Sequence, residues 1–197
     1  MKKPWDKASL LTVVVLLLCG LCGRISAYNP SAFTNYSDTY ARTPNHDMGQ
    51  PWDWCTPYTW LDQHEGDCTN FTSQCLIAGS APSGCGLKYC GATIRAPDLF
   101  NCLRYTMCWR WQKTTWDQQN APDWLGPGDV IIFGDTGGGV EVAKHSVQVV
   151  LGQGADSYIN AHSSTRYHES WINPFQFFDW CYFFEYRQPP LPCGSPE

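Results

Sequence analysis

Cysteine is the residue that most limits how this chain can fold. Eleven cysteines occur in 197 residues, and two of them, Cys19 and Cys22, lie in an apolar N-terminal stretch. The other nine are Cys55, Cys68, Cys75, Cys85, Cys90, Cys102, Cys108, Cys181 and Cys193, spread over everything that follows. Cysteines of an oxidising compartment pair, and an odd number leaves one thiol for reaction or for an intermolecular bond. With Cys68 as the unpaired one, the other eight can form four disulfides, and a disulfide-rich fold is expected.

The N-terminus supplies the compartment. Lys2, Lys3 and Lys7 precede Leu10 to Leu18, a run that is apolar apart from Thr12, and Ile25-Ser26-Ala27 offers a small residue for cleavage. The run falls short of the roughly 20 residues that span a bilayer. It has the make-up of a secretory signal peptide. The expected organisation is a signal peptide over 1–27 and one domain over 28–197, secreted and without stable membrane insertion after cleavage. The whole chain carries 13 Lys and Arg against 18 Asp and Glu. Removing Lys2, Lys3, Lys7, Arg24 and Asp6 leaves 9 against 17, a net charge of −8. An acidic domain without a basic stripe has no electrostatic attraction for polyanions, so no nucleic-acid partner is expected.

Along the domain, Asn29-Pro30-Ser31 reads as a helix start, followed by Phe33, Tyr36 and Tyr40 at helical spacing. Asp67 is placed to cap a second helix that buries Phe71, Cys75 and Ala78 and stops at Gly79. Residues of about 80–116 hold four cysteines and little periodicity, and read as a cysteine-rich insertion with a short helix over Leu99–Tyr105. From Trp124 onward the pattern is that of strands: 130–133, 145–151, 158–163 and 177–186, with Gly137-Gly138-Gly139 as a flexible loop. Helices first and an antiparallel meander afterwards make an α+β fold, with N-terminal helices packed on an antiparallel sheet.

The chemistry is expected at Cys68 and His145. A thiol reacts as its thiolate. The first turn of a helix favours that anion, and a nearby imidazole can take the proton and return it to a leaving amine. A third group should orient the imidazole. Asn160 and His162, two apart on a strand, share a face and are the candidates. His64-x3-Cys68 has the spacing of zinc ligands, but an oxidising compartment favours disulfides. No metal and no organic cofactor is expected.

The run Asp67-Cys68-Thr69-Asn70-Phe71-Thr72-Ser73-Gln74-Cys75-Leu76-Ile77-Ala78-Gly79 resembles the hallmark of the secreted "putative amidase domain" family, related to the NlpC-type and CHAP-type papain-like amidohydrolases. Tyr28-Asn29-Pro30-Ser31-Ala32, Gly128-Asp129-Val130-Ile131, the His145 strand and Ile159-Asn160-Ala161-His162-Ser163 resemble it too. The resemblance implies a papain-like α+β domain with Cys68 as nucleophile, His145 as base and a third member near Asn160 and His162. It also implies a cysteine amidase or peptidase acting on a peptide, an amide or bacterial cell-wall peptidoglycan. Two positions depart from the family pattern: Ser80 replaces a common second glycine, and Ser146 replaces an aliphatic residue. A rival expectation is an inactive secreted module that binds glycan or peptide through its aromatic side chains.

Overall fold

The computed structural model describes residues 28–42, 68–81, 87, 95–162, 166–187 and 193. The leader, Cys55, His64, Asp67, Ser163 and the stretches 82–86 and 88–94 of the cysteine-rich segment, Cys85 and Cys90 included, lie outside the described residues.

Among the described residues, three helices come first. In α1 (Pro30–Tyr40) the Asn29 side chain accepts from the Ala32 N–H at 3.1 Å, and proline stands in the first turn. Phe33 and Ser37 are buried, and the Tyr36 and Tyr40 rings meet at 4.7 Å, as the spacing predicts. Helix α2 (Cys68–Ala78) is buried on every side from Cys68 to Leu76. Its polar residues are therefore interior, and each helix face needs polar partners. Helix α3 (Ala96–Asn101) runs into a π-helical turn over Cys102–Thr106.

Six antiparallel strands follow: β1 (Arg110–Thr115), β2 (Val130–Gly137), β3 (Val140–Leu151), β4 (Tyr158–Ala161), β5 (Arg166–Ser170) and β6 (Trp180–Glu185). A one-turn helix α4 (Ile172–Phe175) precedes β6. The sheet order is β1-β6-β2-β3-β4-β5. Strands β2 to β5 form the expected meander, while β6 returns to insert between β1 and β2. The chain is thus α+β, with helices on an antiparallel sheet.

Both faces of the sheet are buried. On one face Val130, Ile132, Ala143, Trp180, Tyr182 and Phe184 pack with Phe33, Phe71 and Leu99 of the helices. On the other, Ile131, Phe133, Val147, Val149, Ile159 and Phe183 pack with Trp171 and Phe175. Double burial explains why β2 begins as an unbroken apolar run rather than an alternating one.

The glycine run is a turn. Strand β2 continues to Gly137 and β3 begins at Val140, so Gly138 and Gly139 alone connect them. Both have positive φ, 62° and 82°, as a two-residue hairpin turn of type I′ requires.

Helix α2 ends in a Schellman motif: Ala81 N–H donates to the Leu76 carbonyl and Ser80 N–H to that of Ile77, each at 2.9 Å. The left-handed residue is Ser80, with φ 57°. Glycine is the residue such a position favours, because a left-handed non-glycine residue costs about 1–2 kcal/mol. Ser80→Gly is expected to raise stability by about 0.5–1 kcal/mol, since glycine's greater freedom in the unfolded chain offsets part of the gain. The urea midpoint should rise with an unchanged slope.

The four-disulfide scheme does not hold. Cys108 is bridged to Cys193, and Cys102 is oxidised as well. Cys75 and Cys181 are thiols, like Cys68. Cys75 belongs to the helix-side core and Cys181 to the opposite one, so the sheet separates them. Both are fully buried, and burial raises both thiol pKa values, which keeps these groups protonated and inert.

Candidate active site

Cys68 opens α2 and is 8% exposed. Its helix is fixed by side chains that a hydrophobicity pattern hides. Thr72 Oγ1 donates to the Cys68 carbonyl at 2.9 Å, and it lies 2.9 Å from the Ser146 hydroxyl. Gln148 Nε2 donates to Thr72 Oγ1, and Ser146 Oγ donates to Thr69 Oγ1 at 3.4 Å. On the helix's other flank, Gln74 donates to Asn70 at 2.8 Å and accepts from the Tyr36 hydroxyl at 3.1 Å. Ser146 is thus matched by Thr69 and Thr72 across the interface. Asn70, although in a glycosylation sequon, is 3% exposed.

His145 comes from β3, six residues into the strand rather than at its start. The pairing runs Phe133 to His145 and then Gly134 to Ala143, so Lys144 is an extra residue on β3. Such a bulge re-aims the side chains beside it. The His145 ring lies nearly parallel to Phe178, at 6.1 Å and 6°, and to Phe133, at 6.2 Å and 19°.

Cys68 and His145 meet. Burial pushes the thiol pKa up, yet the charge and hydrogen bond of His145, with smaller help from the Ser146 backbone and the Thr69 hydroxyl, bring it down to about 6. Cys68 is therefore substantially thiolate at neutral pH, in contrast to Cys75 and Cys181. A buried thiolate beside an imidazole at the start of a helix can attack a carbonyl carbon and hand a proton to the group that leaves.

Asn160 and His162 are placed against the helices. His162 Nε2 donates to the Tyr40 carbonyl at 2.9 Å, and its ring lies flat on Phe71, 3.7 Å between centroids and 3° apart. Asn160 Nδ2 donates to Ser37 at 3.1 Å and to Asp38 at 2.8 Å, while its Oδ1 accepts from the His168 N–H at 3.0 Å. His168 Nε2 donates to the same Asp38 oxygen at 3.0 Å. The two residues thereby tie β4 to α1 and, through Phe71, to the Cys68 helix. Asn160→Ala strands a buried hydroxyl, a carboxylate and an N–H. It is expected to cost about 1–3 kcal/mol in urea unfolding.

Sequence reasoning missed Thr69, Ser146 and Gln148. The one signal for them was the polar residue directly after His145. Among the described residues, no three His, Cys, Asp or Glu side chains gather as a metal-binding group, and no helix is long and apolar enough to cross a membrane.

A family model described as "Putative amidase domain" matches residues 27–181. Neither a curated protein nor a solved structure matches the chain.

Proposed function

The chain belongs to the "putative amidase domain" family, and on that premise we propose that it is a secreted, papain-like cysteine amidohydrolase cleaving amide bonds of peptides or of cell-wall peptidoglycan. The observation that carries this reading is the Cys68 thiol, held at about 6 by His145 although buried. Cys68 and His145 are the catalytic pair. His162 and Asn160 are positioning residues, which hold α1, α2 and β4 in the arrangement that the pair needs.

The thiolate of Cys68 attacks the amide carbonyl carbon, and the C=O π electrons move to oxygen. In this reading the backbone N–H of Cys68, at the start of α2, donates to that oxyanion. The tetrahedral intermediate collapses, the C–N bond breaks, and the imidazolium of His145 protonates the departing amine. A thioester on Cys68 remains. Water, deprotonated by His145, attacks it, releases the carboxylic acid and restores the thiolate. The lysine-rich leader with its apolar run supports export, and the oxidised Cys102, Cys108 and Cys193 fit an oxidising compartment.

The test is alkylation of the unreduced protein by iodoacetamide at about pH 6, located by peptide mass spectrometry. A thiol of ordinary pKa, about 8.5, is almost wholly protonated there. Cys68 is expected to take the label rapidly, and Cys75 and Cys181 to remain unlabelled. A Cys68 that is inert at this pH overturns the reading.

A further inference from the structure

On the helix face of the sheet lies a cavity of about 290 Å³, walled by Phe100 of α3, Arg104 of the π-helical turn, Glu141 and Ala143 of β3, and Trp180 of β6. Ala143 is two residues from His145 on the same strand, on the other side of the bulge at Lys144. The cavity therefore borders the strand that carries the imidazole. One wall depends on Gly134: a Cβ there would collide with the Trp180 indole. The missing side chain lets that ring lie against the sheet.

The charges of the wall are unequal in their commitments. Glu141 is paired with Lys113 and accepts from the Tyr182 hydroxyl at 3.4 Å. Arg104 has no carboxylate among the described residues. Its guanidinium stacks 4.1 Å over Trp111, with Phe100 at 5.6 Å and Tyr182 at 5.7 Å, and meets the Tyr182 hydroxyl. Arg104 Nε and Trp180 Nε1 are both buried with no acceptor. Buried donors are almost always satisfied, so two orphans on one cavity wall mark the place of an absent acceptor. With Lys113 neutralising Glu141, the remaining charge is the one on Arg104. An aromatic-walled guanidinium of this kind suits a carboxylate, which it can grip with two parallel N–H groups.

We propose that this cavity is a substrate subsite for a carboxylate, and that Arg104 selects amide substrates bearing one. The inference rests on the assignment of Cys68 and His145 as the catalytic pair. The carboxylate has two sources in a peptide, an acidic side chain and a free C-terminus.

Binding is measured by calorimetry on Cys68→Ala protein, which cannot turn substrate over. The probes are acetyl-Ala-Glu-Ala-amide, acetyl-Ala-Gln-Ala-amide and acetyl-Ala-Gln-Ala with a free C-terminal carboxylate. At least one carboxylate peptide is expected to bind about 10- to 100-fold more tightly than the neutral one, the worth of a charged hydrogen bond. Whichever binds identifies the source. Arg104→Gln, added to Cys68→Ala, should abolish the difference, and Arg104→Lys should keep part of it. Equal affinities for all three peptides, no binding at all, or a preference that survives Arg104→Gln overturns the subsite. The catalytic assignment fails by a separate result, undiminished hydrolysis by Cys68→Ala protein.

Discussion

Cys68→Ala is expected to leave a folded protein whose amide hydrolysis has fallen by at least about 10⁴-fold, the scale of effect seen when a covalent nucleophile is removed. The fold should survive because the helix is not held through the thiol. Its anchors near this point are the Cys68 carbonyl, which accepts from Thr72, and the Thr69, Thr72, Ser146 and Gln148 side chains. All of them are untouched by the substitution. Circular dichroism and urea unfolding check the fold, and single-turnover hydrolysis of a released-amine substrate checks the chemistry. Full activity in the variant would end the cysteine mechanism.

The second large effect is expected at His145. Burial is the strongest influence on Cys68 and acts to raise its pKa; His145 is the main opposing one. In His145→Ala the burial remains and the opposition goes, so the thiol should rise from about 6 to above its ordinary range. At pH 6 the thiolate fraction then falls from about one half to below about 1%, and iodoacetamide labelling slows by roughly a hundredfold or more. Wild-type labelling should climb as pH passes through about 6 and then level, while that of the variant should keep climbing beyond pH 8. His145→Gln, which fills the space beside Phe133 and Phe178 without carrying a charge, should behave like the alanine variant. Unchanged labelling in both would mean that the thiolate owes nothing to the imidazole.

The parts of this arrangement that were legible in the sequence are those with a local cause. Asn29 and Pro30 start α1 through backbone chemistry that four residues contain. Val130-Ile131-Ile132-Phe133 could hardly be anything other than a buried strand. Cys68 at the head of its helix has such a cause; His145 has none, because it stands well inside β3 beside a bulge. What was illegible depends on distant partners. Strand β1 reads as Arg-Trp-Gln-Lys-Thr-Thr, with a mixed pattern that becomes a strand only by pairing with β6, some 70 residues later. The interior hydroxyls of Thr69 and Thr72 look like surface residues until Ser146 and Gln148 arrive to satisfy them. The cysteine count misled for a related reason. Pairing was inferred from compartment, whereas Cys75 and Cys181 are kept apart by the sheet, which no local pattern announces.

The insertion of β6 between β1 and β2 has a consequence for how the protein comes into being. The last strand of the sheet is also a central one, so residues up to about 185 must be available before β1 has any neighbour and before β2 gains its second. Closing contacts so far apart in sequence is slow. A chain still being made or exported therefore presents four of these six strands as a sheet, with β2 as an open edge and β1 unpaired. Strand β2, which with β3 frames the position of His145, is propped on one side only until then. Activity should accordingly appear late and all at once, when the chain is nearly complete. A product cut short before Trp180 would be both inert and, with its unpaired edges, prone to stick to its neighbours.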